Sequence, residues 1–194
     1  CLYGQRFFRD ELGVRVRVGW LPDVFGYPWA MPQIYRKAGL EYFMTAKVAW
    51  NETNRIPWNT FWWQGTDGTR LFTQLVHNLG NMYNAQAQPA EMLRQWDDFT
   101  DKRSVGEALC PYGFGDGGGG PTRQMLEFLP RLAAMPGIPS AVTGRVHDFF
   151  DRIAERAGEG LPVWNGELYF ERHRGTYTTH AWNKRCNRRS ELTL

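Results

Sequence analysis

Val14, Val16 and Val18 alternate with Arg15 and Arg17 and run straight into Gly19-Trp20-Leu21-Pro22-Asp23-Val24-Phe25-Gly26-Tyr27-Pro28, which turns on Pro22 and Gly26. A helical pattern follows from Trp29 to Ala38 and stops at Gly39. Alternation with a period of two is the mark of a strand with one buried face, and the change to helical spacing marks the element after it. Strand, tight turn and helix in immediate succession are the unit of an α/β layout. In such layouts the loops at the C-terminal ends of the strands converge on one rim, where ligand chemistry collects. Asp23 is the only carboxylate in that turn. It is therefore a candidate for chemistry, alongside the plainer reading of a helix N-cap or an Asx turn.

The rest of the chain repeats the alternation. Tyr42 to Val48 reads as a second strand, and Trp50 to Trp58 as an Asn- and Pro-rich loop of the kind that carries function. Thr60 to Gln64 and Arg70 to Val76 flank Thr66-Asp67-Gly68, whose Asp-Gly pair favours a hairpin turn. Pro89 to Phe99 reads as a helix opened by proline, and Ala108 to Phe114 as extended chain. After Gly115 to Gly120, Pro121 and Thr122 open a helix through Ala134. Ser140 to Thr143 reads as a short strand, Val146 to Ala157 as a helix closed by Gly158, and Leu168 to Glu171 as another strand. From His173 onward the pattern is helical. Together these predict an α/β fold with mainly parallel strands, either a partial barrel or an open doubly wound sheet, with a boundary near Gly175 before a second, all-helical region.

Leu2 to Leu12 forms an amphipathic helix with no strand before it to cover, and the expectation is that these 194 residues belong to a longer chain. Formal net charge is +3, with Lys and Arg scattered among Asp and Glu except at Lys184, Arg185, Arg188 and Arg189. That distribution lacks a nucleic-acid footprint. No apolar run approaches membrane-spanning length, so no membrane partner is expected. Cys1, Cys110 and Cys186 are odd in number and lack CxxC spacing, which points to reduced thiols and a cytoplasmic protein. Aromatic residues make up 15% of the chain, nine of them Trp. That surplus suits a site for sugar rings, whose C–H faces need flat aromatic walls, and it suits core packing equally well.

Two further candidates carry chemistry. Asp116 stands at a strand-to-loop junction before Gly117-Gly118-Gly119-Gly120. Four glycines are costly to order, and the return is close backbone approach to a ligand or a loop that moves; the plainer reading is a turn-capping carboxylate. A phosphate cradle needs Lys and Ser or Thr after the last glycine, and Pro121-Thr122-Arg123 stands there instead. His173 lies between Arg172 and Arg174, which disfavour a third positive charge and leave the neutral imidazole that ligates metal. His77, His147 and His180 read as surface or packing residues, and no HExxH or Cys-His cluster is present.

GWLPDVFGYPWAMPQIYRKAGLEYFMTAKVAWNETNR, FWWQGTDG, YGFGDGGGGPT, and LPVWNGELYFERHRGTYTT with NKRCNRRSE together resemble the cytosolic and bacterial branch of the α-mannosidases of glycoside hydrolase family 38. The likeness touches nearly the whole chain in the same order. It implies a retaining enzyme with one zinc ion, an N-terminal (β/α)7 barrel, a three-helix bundle and C-terminal β domains. Residues 1–174 would be the C-terminal part of the catalytic domain and 175–194 the first helix of the bundle. By position, Asp23 matches the nucleophile, which also ligates zinc, and His173 matches a late histidine ligand. Asp116 is the carboxylate of the glycine-loop motif and takes the acid/base role. Two more ligands belong to an early His-x-Asp motif that this chain does not contain. The resemblance also implies that Asp23 is ionised by zinc and Asp116 protonated in an apolar glycine loop. Trp58, Trp62, Trp63 and Tyr177 are the candidate sugar contacts, and the partner is a mannose-containing oligosaccharide or glycoside. Homo-oligomerisation stays open, as does a second class of function, a carbohydrate-binding or structural piece without turnover.

Overall fold

The computed structural model describes residues 1–76, 83–173, 175 and 180–194. In chain order its elements begin with α1 (Leu2–Leu12), β1 (Val18–Leu21), β2 (Gly26–Tyr27), α2 (Met31–Lys37), β3 (Tyr42–Thr45), β4 (Thr60–Gln64) and β5 (Arg70–Leu75). They continue with α3 (Pro89–Asp98), α4 (Arg123–Ala133), α5 (Val146–Ala157), β6 (Val163–Asn165), β7 (Leu168–Tyr169) and α6 (Ala181–Thr193). Five strands form the central sheet in the order β1-β3-β5-β4-β6, and β2 pairs with β7 in a separate two-stranded sheet. β1, β3 and β5 run parallel, β4 returns antiparallel to β5, and β6 lies parallel to β4. The fold is thus mixed α/β with a mostly parallel sheet. Among the described residues the sheet is open.

Local chemistry explains the elements. Pro32 sits in the first turn of α2 and Gly39, at φ +86°, ends it. The β4–β5 hairpin turns on Gly68, at φ +82°, while the Thr69 N–H donates to the Asp67 carboxylate at 3.0 Å. The Thr122 hydroxyl accepts from the Met125 N–H at 3.3 Å and caps α4.

Both faces of the sheet are covered. Phe43, Phe61, Trp63, Leu71 and Leu75 pack with Tyr35 of α2 on one face. Tyr42, Met44 and Phe72 pack with Phe149, Phe150 and Ile153 of α5 on the other, where Tyr42 and Phe150 stack at 4.8 Å between ring centroids. At the starting ends of the parallel strands the Arg17 guanidinium donates to Glu41 and Asp151 at 2.6 and 2.7 Å. The Tyr42 hydroxyl also donates to Asp151, at 2.6 Å. The Arg17 and Tyr42 hydrogen bonds hold the Asp151 carboxyl down at about 2.

The structure departs from the sequence reading in several elements. Residues 108–114 are irregular, and their pairing is a single parallel bridge between Ala85 and Tyr112. Pro111 has no N–H to give a ladder, and Gly113 takes φ +111°. Residues 140–143 are also irregular, with Val142 84% exposed and no strand beside them among the described residues. β2 and β6 are short strands beyond the sequence reading, made by pairing with distant chain rather than by their own pattern. β3 stops at Thr45, and residues 47–50 form a 3₁₀ turn. The chain after His173 becomes α-helical at Ala181. His77 and Tyr177 lie outside the described residues.

Gly19 is where the sheet and α2 meet most closely. A Cβ there would stand 2.5 Å from Cε2 of the buried Tyr35 ring and 3.3 Å from Phe43. Gly19→Ala should therefore destabilise the fold by about 1–3 kcal/mol. Urea unfolding measures it, and a change within about 0.3 kcal/mol would show that the ring moves aside freely.

Candidate active site

The parallel register sets the position of the site. Leu21, Thr45 and Leu75 stand side by side at the ends of β1, β3 and β5, so the segments that leave these strands emerge on one rim. Asp23 comes from the first, Lys47 and Trp50 from the second, and Tyr83 from beyond the third. Lys47 Nζ lies 3.1 Å from Asp23 Oδ1, and its side chain is 13% exposed against 52% for Asp23. The ammonium also sits 4.0 Å from the Trp50 ring centroid, 5.7 Å from that of Phe25 and 5.6 Å from that of Tyr83. Three aromatic faces and one carboxylate thus stand in for the water that a partly buried ammonium loses.

Tyr83 completes the arrangement by hydrogen-bonding the Asp23 side chain. Partial burial pushes the Asp23 carboxyl upward, but the Tyr83 hydroxyl and the Lys47 ammonium outweigh it and hold the group below the ordinary aspartate range. The Tyr83 hydroxyl is itself pushed well up by burial first, then by its bond to Asp23 and by the charges of Asp23 and Asp116. The loop that carries Asp116 packs beside the segment of Tyr83. It is anchored there by backbone: the Gly113 N–H donates to Ala85 O at 2.8 Å and the Ala85 N–H to Pro111 O at 3.1 Å. A side chain on Gly115 would overlap Asn84, and one on Gly119 would stand 2.7 Å from Phe114. These two glycines are required for close packing. Asp116 itself is exposed, so the apolar shell expected from the sequence is not present around it.

His173 reaches the same region through the two-stranded sheet. Gly26 pairs with Tyr169 and Tyr27 with Leu168, and the Phe170 N–H donates to Phe25 O at 2.7 Å. The His173 ring lies 4.1 Å from the Phe25 centroid and 5.0 Å from that of Phe170. Its Nδ1 is buried without a hydrogen-bond partner. A buried imidazole nitrogen left open in this way fits a metal donor. Among the described residues, however, no group of three or more His, Cys, Asp or Glu side chains is placed to hold a metal ion. Zinc wants about four donors. His173 packs on Phe25, whose ring also faces the Lys47 ammonium that pairs with Asp23, so the two side chains proposed to hold such an ion stand in one region.

The tryptophans divide. Trp62 and Trp63, two of the expected sugar contacts, lie on β4. Trp62 aligns through Phe72 and Tyr42 with Val18, the first residue of β1, at the end of the sheet away from the rim. Trp63 is wholly buried, with its indole N–H donating to Gly166 O at 2.7 Å. Trp58 is partly buried in the loop before β4, at the rim end, where Asn59 donates to Leu75 O at 2.9 Å. Lys47, Tyr83, Phe25 and Trp50 were not singled out by the sequence. Lys47 had a signal, since a lysine inside the apolar run Tyr42 to Val48 must find a counter-charge.

The rim thus carries a strand-end carboxylate paired with a lysine and, packed beside it, a buried imidazole nitrogen without a partner, on an α/β sheet. The model of the glycosyl hydrolases family 38 N-terminal domain matches residues 1–167, and the chain belongs to that family. It is 42% identical to an alpha-mannosidase of Saccharomyces cerevisiae, over 99% of this chain and 18% of that protein. Alpha-mannosidase 2C1 of Homo sapiens is also 42% identical, over 100% of this chain and 18% of that one. The chain thus spans under a fifth of the length of these curated relatives. A crystal structure of an alpha-mannosidase from Enterococcus faecalis superposes with a TM-score of 0.67 at 20% identity, covering 86% of this chain and 19% of that one. That likeness is one of fold.

Lys47→Met and Tyr83→Phe should each raise the titration midpoint of Asp23, because each removes a group that favours its charged form. A carboxyl held low in the folded state stabilises the fold above the unfolded value of about 4 and loses that contribution as pH falls through the folded one. ¹³C NMR titration of the Asp23 carboxyl reads the shift, and midpoints unchanged in both variants would show that other groups set it.

Proposed function

We propose that this chain supplies part of the active site of a zinc-dependent, retaining glycoside hydrolase that acts on terminal α-mannosides. The observation that carries the reading is Asp23 on the rim, paired with Lys47 at 3.1 Å, with the loop of Asp116 packed against Asn84 and Ala85, the residues that follow Tyr83. Retaining hydrolysis needs two carboxyl groups on opposite sides of the scissile bond, about 5 Å apart. Asp23, already ionised and half-exposed on the rim, is the nucleophile that attacks the anomeric carbon and forms the covalent glycosyl-enzyme. Asp116 gives its proton to the leaving oxygen and then takes one from the water that releases the sugar. A sugar seated between the two would supply the apolar shell that the exposed loop lacks.

Asp23 and His173 would hold zinc with two further donors from an early His-x-Asp motif in the sequence that precedes them, and the ion would bind sugar hydroxyls and favour a distorted ring. The open Nδ1 of His173 supports this set. Trp58 on the rim and Tyr177 remain the aromatic candidates for sugar contact. The reading extends to architecture: the open sheet is part of a (β/α)7 barrel, residues 1–174 end the catalytic domain, and α6 begins a helical bundle. It extends also to a cytoplasmic location, which the three unpaired cysteines support, and to a mannose-containing glycoside as partner, which the alpha-mannosidase relatives support. No helix among the described residues is long and apolar enough to cross a membrane.

The two carboxylates should fail differently in the protein with its flanking sequence in place. Asp116→Ala should slow a substrate with a poor leaving group far more than an activated aryl mannoside, whereas Asp23→Ala should slow both alike by at least about 10³-fold. Azide should speed the Asp116 variant and give a mannosyl azide of retained configuration. Rescue of retained product in the Asp23 variant instead would overturn both assignments, and mannoside binding without hydrolysis in the zinc-loaded wild type would point to a carbohydrate-binding piece.

His173→Ala should lower zinc content and activity together. Metal analysis beside a turnover assay reads both, and full zinc occupancy with full activity would remove His173 from the ligand set.

A further inference from the structure

His173 has little to hold it from its own ring, which is flanked by phenyl groups and forms no hydrogen bond through Nδ1. What fixes the backbone two residues earlier is a polar clamp. The Glu171 carboxylate accepts from the backbone N–H groups of three consecutive residues, Glu52, Thr53 and Asn54, with Thr53 at 2.8 Å and Asn54 at 3.0 Å. The Asn54 side-chain amide adds a contact at 3.3 Å. From the other side Asn51, 4% exposed, accepts from the Glu171 N–H at 2.9 Å and donates to Tyr169 O at 2.9 Å and to Asn54 O at 3.0 Å. Arg172 pairs with Glu52. Three successive N–H groups aimed at one carboxylate make a charge-assisted site that a shorter or neutral side chain cannot fill equally.

We propose that Glu171 is a positioning residue for His173: it locks the segment that carries the imidazole to the loop after β3, so that the ring is presented to a metal ion in one orientation. The inference rests on the zinc reading above and adds the residue that sets the ligand's geometry. Outer partners that orient a metal-binding histidine are worth about 10- to 100-fold in metal affinity. The clamp belongs to that class although it acts through backbone rather than through the second ring nitrogen. It also joins the end of β3 to the end of β7, so the loop with Lys47 and the turn with His173 share one anchor.

The test uses the protein with its flanking sequence, stripped of metal and titrated with zinc against a chromogenic chelator. Glu171→Ala and Asn51→Ala should each weaken zinc binding about 10- to 100-fold, with Glu171→Gln between them and the wild type. Glu107→Ala serves as the control: it breaks a cluster with Arg152 and Arg156 elsewhere on the surface and should leave zinc affinity unchanged. Melting temperatures of all variants separate loss of fold from loss of ligand geometry. Wild-type zinc binding that stays within twofold in both clamp variants would overturn this inference and leave the zinc reading standing. A wild type that takes up no zinc would overturn both.

Discussion

The level ends of three parallel strands are the constraint on which the rest of the structure depends. Because Leu21, Thr45 and Leu75 lie in register, the chain leaves β1, β3 and β5 at the same height and in the same direction. A slip of one residue in any of them would turn its buried side chains to the wrong face. Burial of Phe43, Phe61, Trp63 and Phe72 on the two faces therefore does more than stabilise the domain. It sets the spacing between Asp23, Lys47 and Tyr83, of which Tyr83 also packs against the core.

The two ends of the sheet are put to different uses. At the starting end, Arg17 binds Glu41 and Asp151 and ties α5 to the strands. There Arg17 finds two carboxylates within the fold. At the other end the matching is deliberately uneven in its chemistry: Asp23 has partners that keep it charged yet leave half of its surface open, and His173 has packing without a partner for one nitrogen. Unspent polar capacity on a rigid frame is what a binding site requires.

Much of this was legible in the sequence, and the pattern of success follows range. α1, α5, the Asp67-Gly68 hairpin and the helix opened by Pro89 depend on local periodicity and caps, and they appear within a residue or two of where the pattern places them, whereas the first strand, read from the alternation at Val14 to Val18, forms at Val18–Leu21. β2 and β6 did not appear because two or three residues become a strand only when a distant partner arrives. The reverse error, residues 140–143, has strand-like composition and no partner beside it among the described residues. Asp23, Asp116 and His173 stood out through unusual settings: a lone carboxylate at a turn, a glycine run, a histidine between arginines. Tyr83 had no such mark, since only folding brings it to the Asp23 carboxylate. Aromatic composition carries no information about where on a sheet a side chain ends up, so it did not reveal that Trp63 is wholly buried.

Lys47 shows what the assembly of this rim demands. Its ammonium is walled by Phe25, Trp50 and Tyr83 and neutralised by Asp23, so its surroundings are gathered from the chain beyond three different strands. A conformer in which any one of those segments strays leaves a dehydrated cation short of a partner, at a cost of several kcal/mol. The cation thus works as a proofreader of loop placement: errors that a purely apolar cluster would tolerate by repacking are rejected here, and the Asp23 carboxylate inherits the resulting accuracy.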